Sequence, residues 1–119
     1  MTFYRWQAVE NEALNPRVLR RVIHTAAMTV AHMTLLKGAV VPEHSHVQEQ
    51  ICTVERGALK FTVSGREQVV RAGETLALAS MEPHSAEALE DSHVLDVFSP
   101  PRADWIAGDD AYLRRQRSQ

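Results

Sequence analysis

The chain has a single cysteine, Cys52, so no intrachain disulfide can staple it. Long apolar runs are also missing. Its uncharged stretches, such as Thr25 to Leu36, carry Thr and His and fall far short of the ~20 apolar residues that a membrane span requires. Nor is there an excess of positive charge. Thirteen Lys+Arg against fifteen Asp+Glu give a net charge of -2, which removes the electrostatic footprint of a general nucleic-acid binder. The one basic run, Arg114-Arg115-Gln116-Arg117, reads as a solvated tail rather than a phosphate site. Between Met1 and Glu10, Arg5 and Glu10 stand where a secretory signal would need an apolar core, so the expected location is the cytoplasm. No internal repeat, low-complexity tract or Pro/Gly/Ser linker divides the 119 residues, which are expected to form one domain.

What is present is an ordinary globular balance, 45% hydrophobic and 24% charged, cut into short segments rich in β-branched and apolar residues at roughly ten-residue intervals. That rhythm predicts an all-β sandwich or barrel. The expected strands are Val18 to Ile23, Met28 to Leu36, Gln50 to Val54, Leu59 to Val63, Gln68 to Val70, Thr75 to Leu78, Ser85 to Leu89 and Val94 to Phe98. Leu59, Phe61 and Val63 alternate with Lys60, Thr62 and Ser64, as on a strand with one wet face, and Ser64-Gly65-Arg66 reads as a hairpin tip. Cys52, inside Ile51-Cys52-Thr53-Val54, reads as a buried structural thiol. Pro100-Pro101 stops the sheet, and Ala103 to Leu113 is expected to make a short helix docked through Trp105, Ile106 and Tyr112, with Gly108 against it.

Six histidines are present, and the spacing of some of them carries chemistry. His44 and His46 are two apart, which on an extended strand points both imidazoles to one face. Gln50 shares their parity and could bring an amide oxygen to the same centre, while His84 arrives from a later strand. Three imidazoles and one amide oxygen leave one or two positions open on a first-row divalent ion, the condition for Lewis-acid chemistry. His24, His32 and His93 lack a partner at ligand spacing and read as structural or surface residues. His32 is the exception kept open, since mid-strand it could face the interior and touch a substrate. In Val94 to Phe98, alternation sets Leu95 and Val97 on one face and Asp96 and Phe98 on the other. A carboxylate inside an apolar barrel is costly unless paired or used, and the other reading of Asp96 is a surface residue bonded to a turn. Arg102, after two rigid prolines, could hold a substrate carboxylate at the mouth or anchor the C-terminal segment through a salt bridge.

The glycines around these residues carry a family resemblance. Gly38, His44, His46, Gln50 and Gly57 resemble the first cupin motif, with Gln where that family usually has Glu. Gly73, Glu74 and His84 resemble the second, with departures at Ala79, commonly proline, and Met81, commonly glycine. The resemblance implies a double-stranded β-helix, a jelly-roll barrel over about residues 18–102, with a short N-terminal strand and a C-terminal extension. His-Ser-His, Glu49-Gln50-Ile51, Ala88 to Asp91 and Asp96 to Arg102 are similar to the small single-domain cupins of the KdgF type. That resemblance implies an enzyme linearising 4,5-unsaturated uronate monosaccharides from pectin and alginate breakdown to open-chain keto-uronates. It implies one divalent ion (Zn, Ni, Mn or Fe) on His44, His46, Gln50 and His84, with Asp96, Phe98 and Arg102 lining the substrate site. Two rival expectations stand on the same barrel: a metal-dependent dioxygenase or other small-molecule enzyme, and a non-catalytic ligand-binding cupin. Small cupins generally pair, and Phe3, Tyr4 and Trp6 offer material for a homodimer interface or a cover for the protein's own barrel.

Overall fold

The structure, a computed structural model, describes residues 1–115. A 3-10 turn at Trp6–Ala8 precedes ten strands: β1 (Glu12–Asn15), β2 (Val18–His24), β3 (Thr29–Leu35), β4 (Val40–His44), β5 (Glu49–Arg56), β6 (Ala58–Val63), β7 (Arg66–Arg71), β8 (Thr75–Leu78), β9 (His84–Ala88) and β10 (Ser92–Ser99). Two short helices follow, α1 (Ala103–Ile106) and α2 (Ala111–Arg114). The strands form two antiparallel sheets, β1-β2-β3-β10-β5-β8 and β4-β9-β6-β7, which face each other across one apolar core. The all-β architecture expected from the rhythm of the sequence, and the jelly roll that the family resemblance implies, are the fold observed.

Period-two alternation decides what each sheet turns inward. On β3, Ala31, Met33 and Leu35 are buried while Val30, His32 and Thr34 are not. On β10, Val94, Asp96 and Phe98 point into the barrel and His93, Leu95 and Val97 point out. The β6–β7 hairpin closes through Ser64 and Gly65, both at positive φ (49° and 80°), the two-residue turn that matches strand twist. Gly57, at φ +86°, is required by close approach: a Cβ there would lie 2.3 Å from Ser92 Oγ and 2.5 Å from the Asp91 carbonyl oxygen.

Two elements differ from expectation. Val40–His44 is a strand beyond those expected from the rhythm of the sequence, and it supplies the extended backbone assumed at His44. It is the edge of the four-stranded sheet, where proline's missing N–H is harmless, and its pairing with β9 is irregular between Val41 and His44. The single helix over Ala103 to Leu113 is two, separated by Gly108 at φ +80°. Trp105 and Leu113 dock as the apolar face of this segment, whereas Ile106 is 60% exposed. Arg114 is not a free cation of the tail: it pairs with Asp110 and Glu12. Gln116 and Arg117 lie outside the described residues.

Candidate metal centre and its cavity

The four candidate ligands are delivered by both sheets. β4 and β9 are neighbours and place His44 opposite His84, their ring centroids 4.3 Å apart. His46 does not share a strand with His44, as simple parity suggested. β4 ends at His44, and His46 sits in the connection to β5, buried, its carbonyl accepting the Met81 N–H at 2.8 Å. Met81 itself is held at φ 64°, the left-handed region that glycine occupies without cost. Gln50 reaches the centre from β5, across the barrel in the six-stranded sheet, rather than along a bend of β4. One ring nitrogen from each of His44, His46 and His84 falls within 4.8 Å of the others.

Backbone carbonyls fix the protonation of all three rings. Nδ1 of His44 lies 2.8 Å from the Pro42 carbonyl, Nδ1 of His46 lies 3.0 Å from Gln48, and Nδ1 of His84 lies 2.8 Å from Glu82. A carbonyl can only accept, so each Nδ1 carries the proton and each Nε2 presents its lone pair inward, as in metal-binding histidines. Burial, which penalises the charged form, together with neighbouring Arg102 and His84, lowers His44 and His46 to about 4. His84 is lowered as well, again by burial first. The three imidazoles are neutral at pH 7.

One contact then has no account in terms of protein atoms alone. Gln50 donates its Nε2 to Asp96 Oδ1 at 3.0 Å, so its Oε1 must face the other way, 3.2 Å from His46 Nε2. With Nδ1 as the donor, His46 Nε2 is an acceptor, and two acceptors meet. A cation between them turns that repulsion into a pair of ligand bonds, and 3.2 Å is close to the ~3.0–3.4 Å separating adjacent ligands bound at 2.0–2.2 Å. The donor set therefore fits a divalent transition ion.

Asp96 and Phe98, two residues apart on β10, face the same cavity, which Gln50, His44, His84, Cys52, Arg102, Trp105 and Tyr112 also line. Burial raises the Asp96 pKa, opposed by hydrogen bonds from Gln50 and Cys52 and by the Arg102 charge. The Cys52 thiol is buried and pushed well up by burial and by Asp96, the inert state expected of it. Arg102 is 1% exposed, and both readings of it meet here. It lines the cavity between the rings of Phe98 and Trp105, 4.7 and 4.3 Å from their centroids, yet its fork is already held by Asp104 at 3.0 and 2.7 Å and by Tyr112 Oη at 2.7 Å. His32 is not in the cavity. Its neighbours Ala31 and Met33 take the inward positions of β3, so parity sends the imidazole to the outer face, edge-on to Trp6 at 4.4 Å. Phe3 and Tyr4 stay exposed, so only Trp6 among the N-terminal aromatics packs against the barrel.

Sequence reasoning missed Gln48, Asp104 and the site role of Tyr112. Gln48 is buried and joins the two ends of the site, its carbonyl receiving His46 and its side chain donating to the Pro101 carbonyl at 2.9 Å. Tyr112 was expected only as a docking residue, but its ring lies 4.6 Å from that of His44 and its hydroxyl accepts from Arg102 and Trp105 Nε1. Asp104, two residues beyond Arg102, was the one readable signal, since an i, i+2 ion pair at a helix start is local.

Comparison with known proteins agrees with this geometry. Residues 31–98 match the Cupin domain family. The pectin degradation protein KdgF of Dickeya dadantii is 30% identical over 100 residues, covering 80% of this chain and 89% of that protein. The structure of KdgF from Halomonas sp. superposes with a TM-score of 0.81 at 29% identity, covering 87% of this chain and 99% of the other. An RmlC-like cupin from Shewanella frigidimarina shares the fold at a TM-score of 0.82 and 24% identity, covering 88% of this chain and 96% of the other. The chain belongs to the cupin family and, within it, groups with the KdgF proteins.

Proposed function

We propose that this protein opens the ring of 4,5-unsaturated uronate monosaccharides, in a reaction that depends on a divalent ion held by His44, His46, Gln50 and His84. The observation that carries the reading is the convergence of three inward Nε2 lone pairs, an amide oxygen, a buried carboxyl and an arginine on one cavity. A bound ion would supply Lewis acidity toward substrate oxygens. The protein's own groups do the rest. Asp96 takes the proton of the C1 hydroxyl as the C1–ring oxygen bond breaks, leaving an aldehyde at C1 and an enolate at C5. It then delivers that same proton to C4, so the enolate becomes a ketone and the reaction is an isomerisation with no atoms gained or lost. A carboxyl raised by burial and steadied by Gln50 and Cys52 is suited to both halves of that transfer. Arg102 holds the substrate carboxylate, and Phe98 backs the guanidinium and keeps the pocket dry.

The cavity is about 50 Å³, well below the roughly 300–1,000 Å³ typical of small-molecule sites, and Trp105, Tyr112 and Leu113 of the C-terminal segment are among the residues that line it. On this reading the C-terminal segment withdraws to admit the sugar, with the substrate carboxylate taking the place of Asp104 on Arg102. The same reading carries a cytoplasmic homodimer acting on a small carboxylated sugar. No helix among the described residues is long and apolar enough to cross a membrane.

The test is loss of ultraviolet absorbance of the conjugated C4–C5 double bond, with unsaturated galacturonate and mannuronate monomers, for metal-loaded, chelated and Asp96→Asn protein. Acceleration over the spontaneous rate, abolished by chelation and reduced ~10²–10⁴-fold in Asp96→Asn with metal retained, is expected. Equal rates with and without the loaded protein would overturn the proposal, and oxygen uptake coupled to turnover would move it to the dioxygenase reading.

A further inference from the structure

A second cluster of metal-ligating side chains lies outside the barrel, on the outer face of the six-stranded sheet. His32 from β3, Glu55 from β5 and His93 from β10 stand on three adjacent strands. Three single atoms converge: His32 Nδ1 lies 3.1 Å from His93 Nε2, His93 Nε2 lies 3.3 Å from Glu55 Oε1, and His32 Nδ1 lies 3.6 Å from the same oxygen.

Protein atoms alone leave this triangle partly unpaired. With Glu55 Oε1 accepting, the His93 Nε2–H can serve the two shorter edges, 3.1 and 3.3 Å, and His32 Nδ1 then turns a lone pair toward the Glu55 oxygen along the 3.6 Å edge, which is no hydrogen bond. A cation over the centre of the triangle satisfies all three corners at once. The edges, 3.1, 3.3 and 3.6 Å, match the roughly 3.3–3.4 Å between ligands on one face of a tetrahedral zinc ion with bonds of 2.0–2.1 Å.

The backbone is built to make the cluster. β10 and β5 run in register from Val94↔Val54 onward, but His93 pairs with Arg56, so Glu55 is the extra residue of a β-bulge. Bulges re-aim side chains and are over-represented beside functional sites. His32 is steadied by the edge of Trp6, whose carbonyl accepts from Arg21, the cross-strand partner of His32. The three ligands are partly exposed, at 21, 29 and 42%, so an ion could reach them and keep an open position.

We propose that His32, Glu55 and His93 form a second site for a divalent transition ion of the zinc and nickel class, separate from the barrel centre. The donor set, two imidazoles and one carboxylate, selects ions of that borderline class over calcium or magnesium, which favour oxygen. Through Trp6, an ion there also ties the N-terminal turn to the sheet.

The test is calorimetric titration of untagged, chelator-stripped full-length protein with Zn²⁺, alongside quenching of tryptophan emission by Ni²⁺. Two equivalents are expected for the wild type, one for Glu55→Gln and one for His44→Ala/His46→Ala, since each variant removes a different site. Affinity for the outer equivalent should fall at least about tenfold in Glu55→Gln, as ligand loss costs no less than loss of a supporting residue. The chain's two tryptophans separate the sites optically, because Trp6 touches His32 and Trp105 lines the cavity. Trp6→Phe should remove the quenching component that Glu55→Gln abolishes. A single equivalent in the wild type, or a second equivalent that survives both Glu55→Gln and the double variant His32→Ala/His93→Ala, would overturn the proposal.

Discussion

Replacing Gln50 by glutamate, the residue cupins usually carry there, tests the coupling between the candidate metal centre and the buried carboxyl. In the wild type, Gln50 turns its amide oxygen to His46 and its amide N–H to Asp96 Oδ1 at 3.0 Å. Glutamate keeps the first contact and converts the second into a carboxylate facing a carboxylate. At an effective dielectric of about 20, two like charges 3.0 Å apart repel by about 5 kcal/mol, equivalent to roughly four pKa units. The pair will therefore hold one proton at neutral pH instead of ionising twice. The sign follows directly: a carboxyl whose folded pKa is raised stabilises the fold only below its ordinary value, and that stability is lost as pH rises through the folded one. Chelated Gln50→Glu should match the wild type near pH 4 and lose up to ~4 kcal/mol by pH 7, three units above an ordinary carboxyl. Asp96 is already raised in the wild type, so the wild-type curve tilts the same way, less steeply. Denaturant melts of both proteins between pH 4 and 8, in chelator, give the comparison. Parallel curves across that range would refute the argument that Gln50 is neutral for the sake of Asp96.

Two further substitutions test supports of the site. Met81 is 53% exposed at φ 64°, so Met81→Gly relieves ~1–2 kcal/mol of left-handed strain against ~0.5–1 kcal/mol of added chain entropy. A net gain of about 0.5–1 kcal/mol in a denaturant melt is expected, with metal affinity preserved because the bond to the His46 carbonyl is through the backbone. Asp110, 1% exposed, accepts from Arg20 at 2.9 Å and from Arg114 at 2.8 and 3.2 Å. Asp110→Asn leaves Glu12, at 3.2 Å, as the one carboxylate partner of an Arg20 that already has one buried nitrogen without a partner, and should cost about 1.5–3 kcal/mol at pH 7. Burial pushes the Asp110 carboxyl up, but the two arginines bring it below 3.8. Its contribution is thus complete above that value and lost below it, and the gap between wild type and variant should close as acid melts pass under pH 3.8.

How far the sequence discloses this molecule depends on the range over which each feature is decided. The β6–β7 hairpin is local: Leu59, Phe61 and Val63 alternate, and Ser64-Gly65 supplies two positive φ angles. Asp96 and Phe98 are also local, since one stretch of period two puts them on the face opposite Leu95 and Val97. The same alternation was there to be read for His32, between Ala31 and Met33, and it argues against the interior position left open for that residue. β4 was read only as extended backbone at His44, without bounds, because Pro42 and Glu43 interrupt its apolar pattern and its place beside β9 on the sheet edge is what defines it. The candidate ligands converge as the sequence reading expected of them, but by a different geometry, because His46 belongs to a loop held by Met81 and Gln50 to the opposite sheet. The outer cluster could not be read at all. It needs the pairing of β3, β10 and β5 and a one-residue bulge at Glu55, and nothing in the spacing of 32, 55 and 93 announces either.

Arg102 joins the local and the global. Its two readings, ligand arm and C-terminal anchor, look like alternatives in the sequence; the geometry shows the anchor and leaves the same guanidinium lining the cavity, so the proposed function joins the two. The guanidinium lies between Phe98, which belongs to the barrel, and Trp105, which belongs to the closing segment, and its hydrogen bonds go to Asp104 and Tyr112 of that same segment. Burial lowers the arginine's pKa, yet the Asp104 and Tyr112 contacts raise it overall, so the charge persists and must always have a partner. In the proposed reaction a substrate carboxylate that reaches Arg102 would compete with Asp104, and the exchange would free the start of α1. Removing the competitor should therefore loosen the closure and strengthen substrate binding together. Asp104→Asn is expected to lower KM for the unsaturated uronate while raising protease sensitivity at residues 103–115. An unchanged KM with the segment demonstrably loosened would show that Arg102 is an anchor alone.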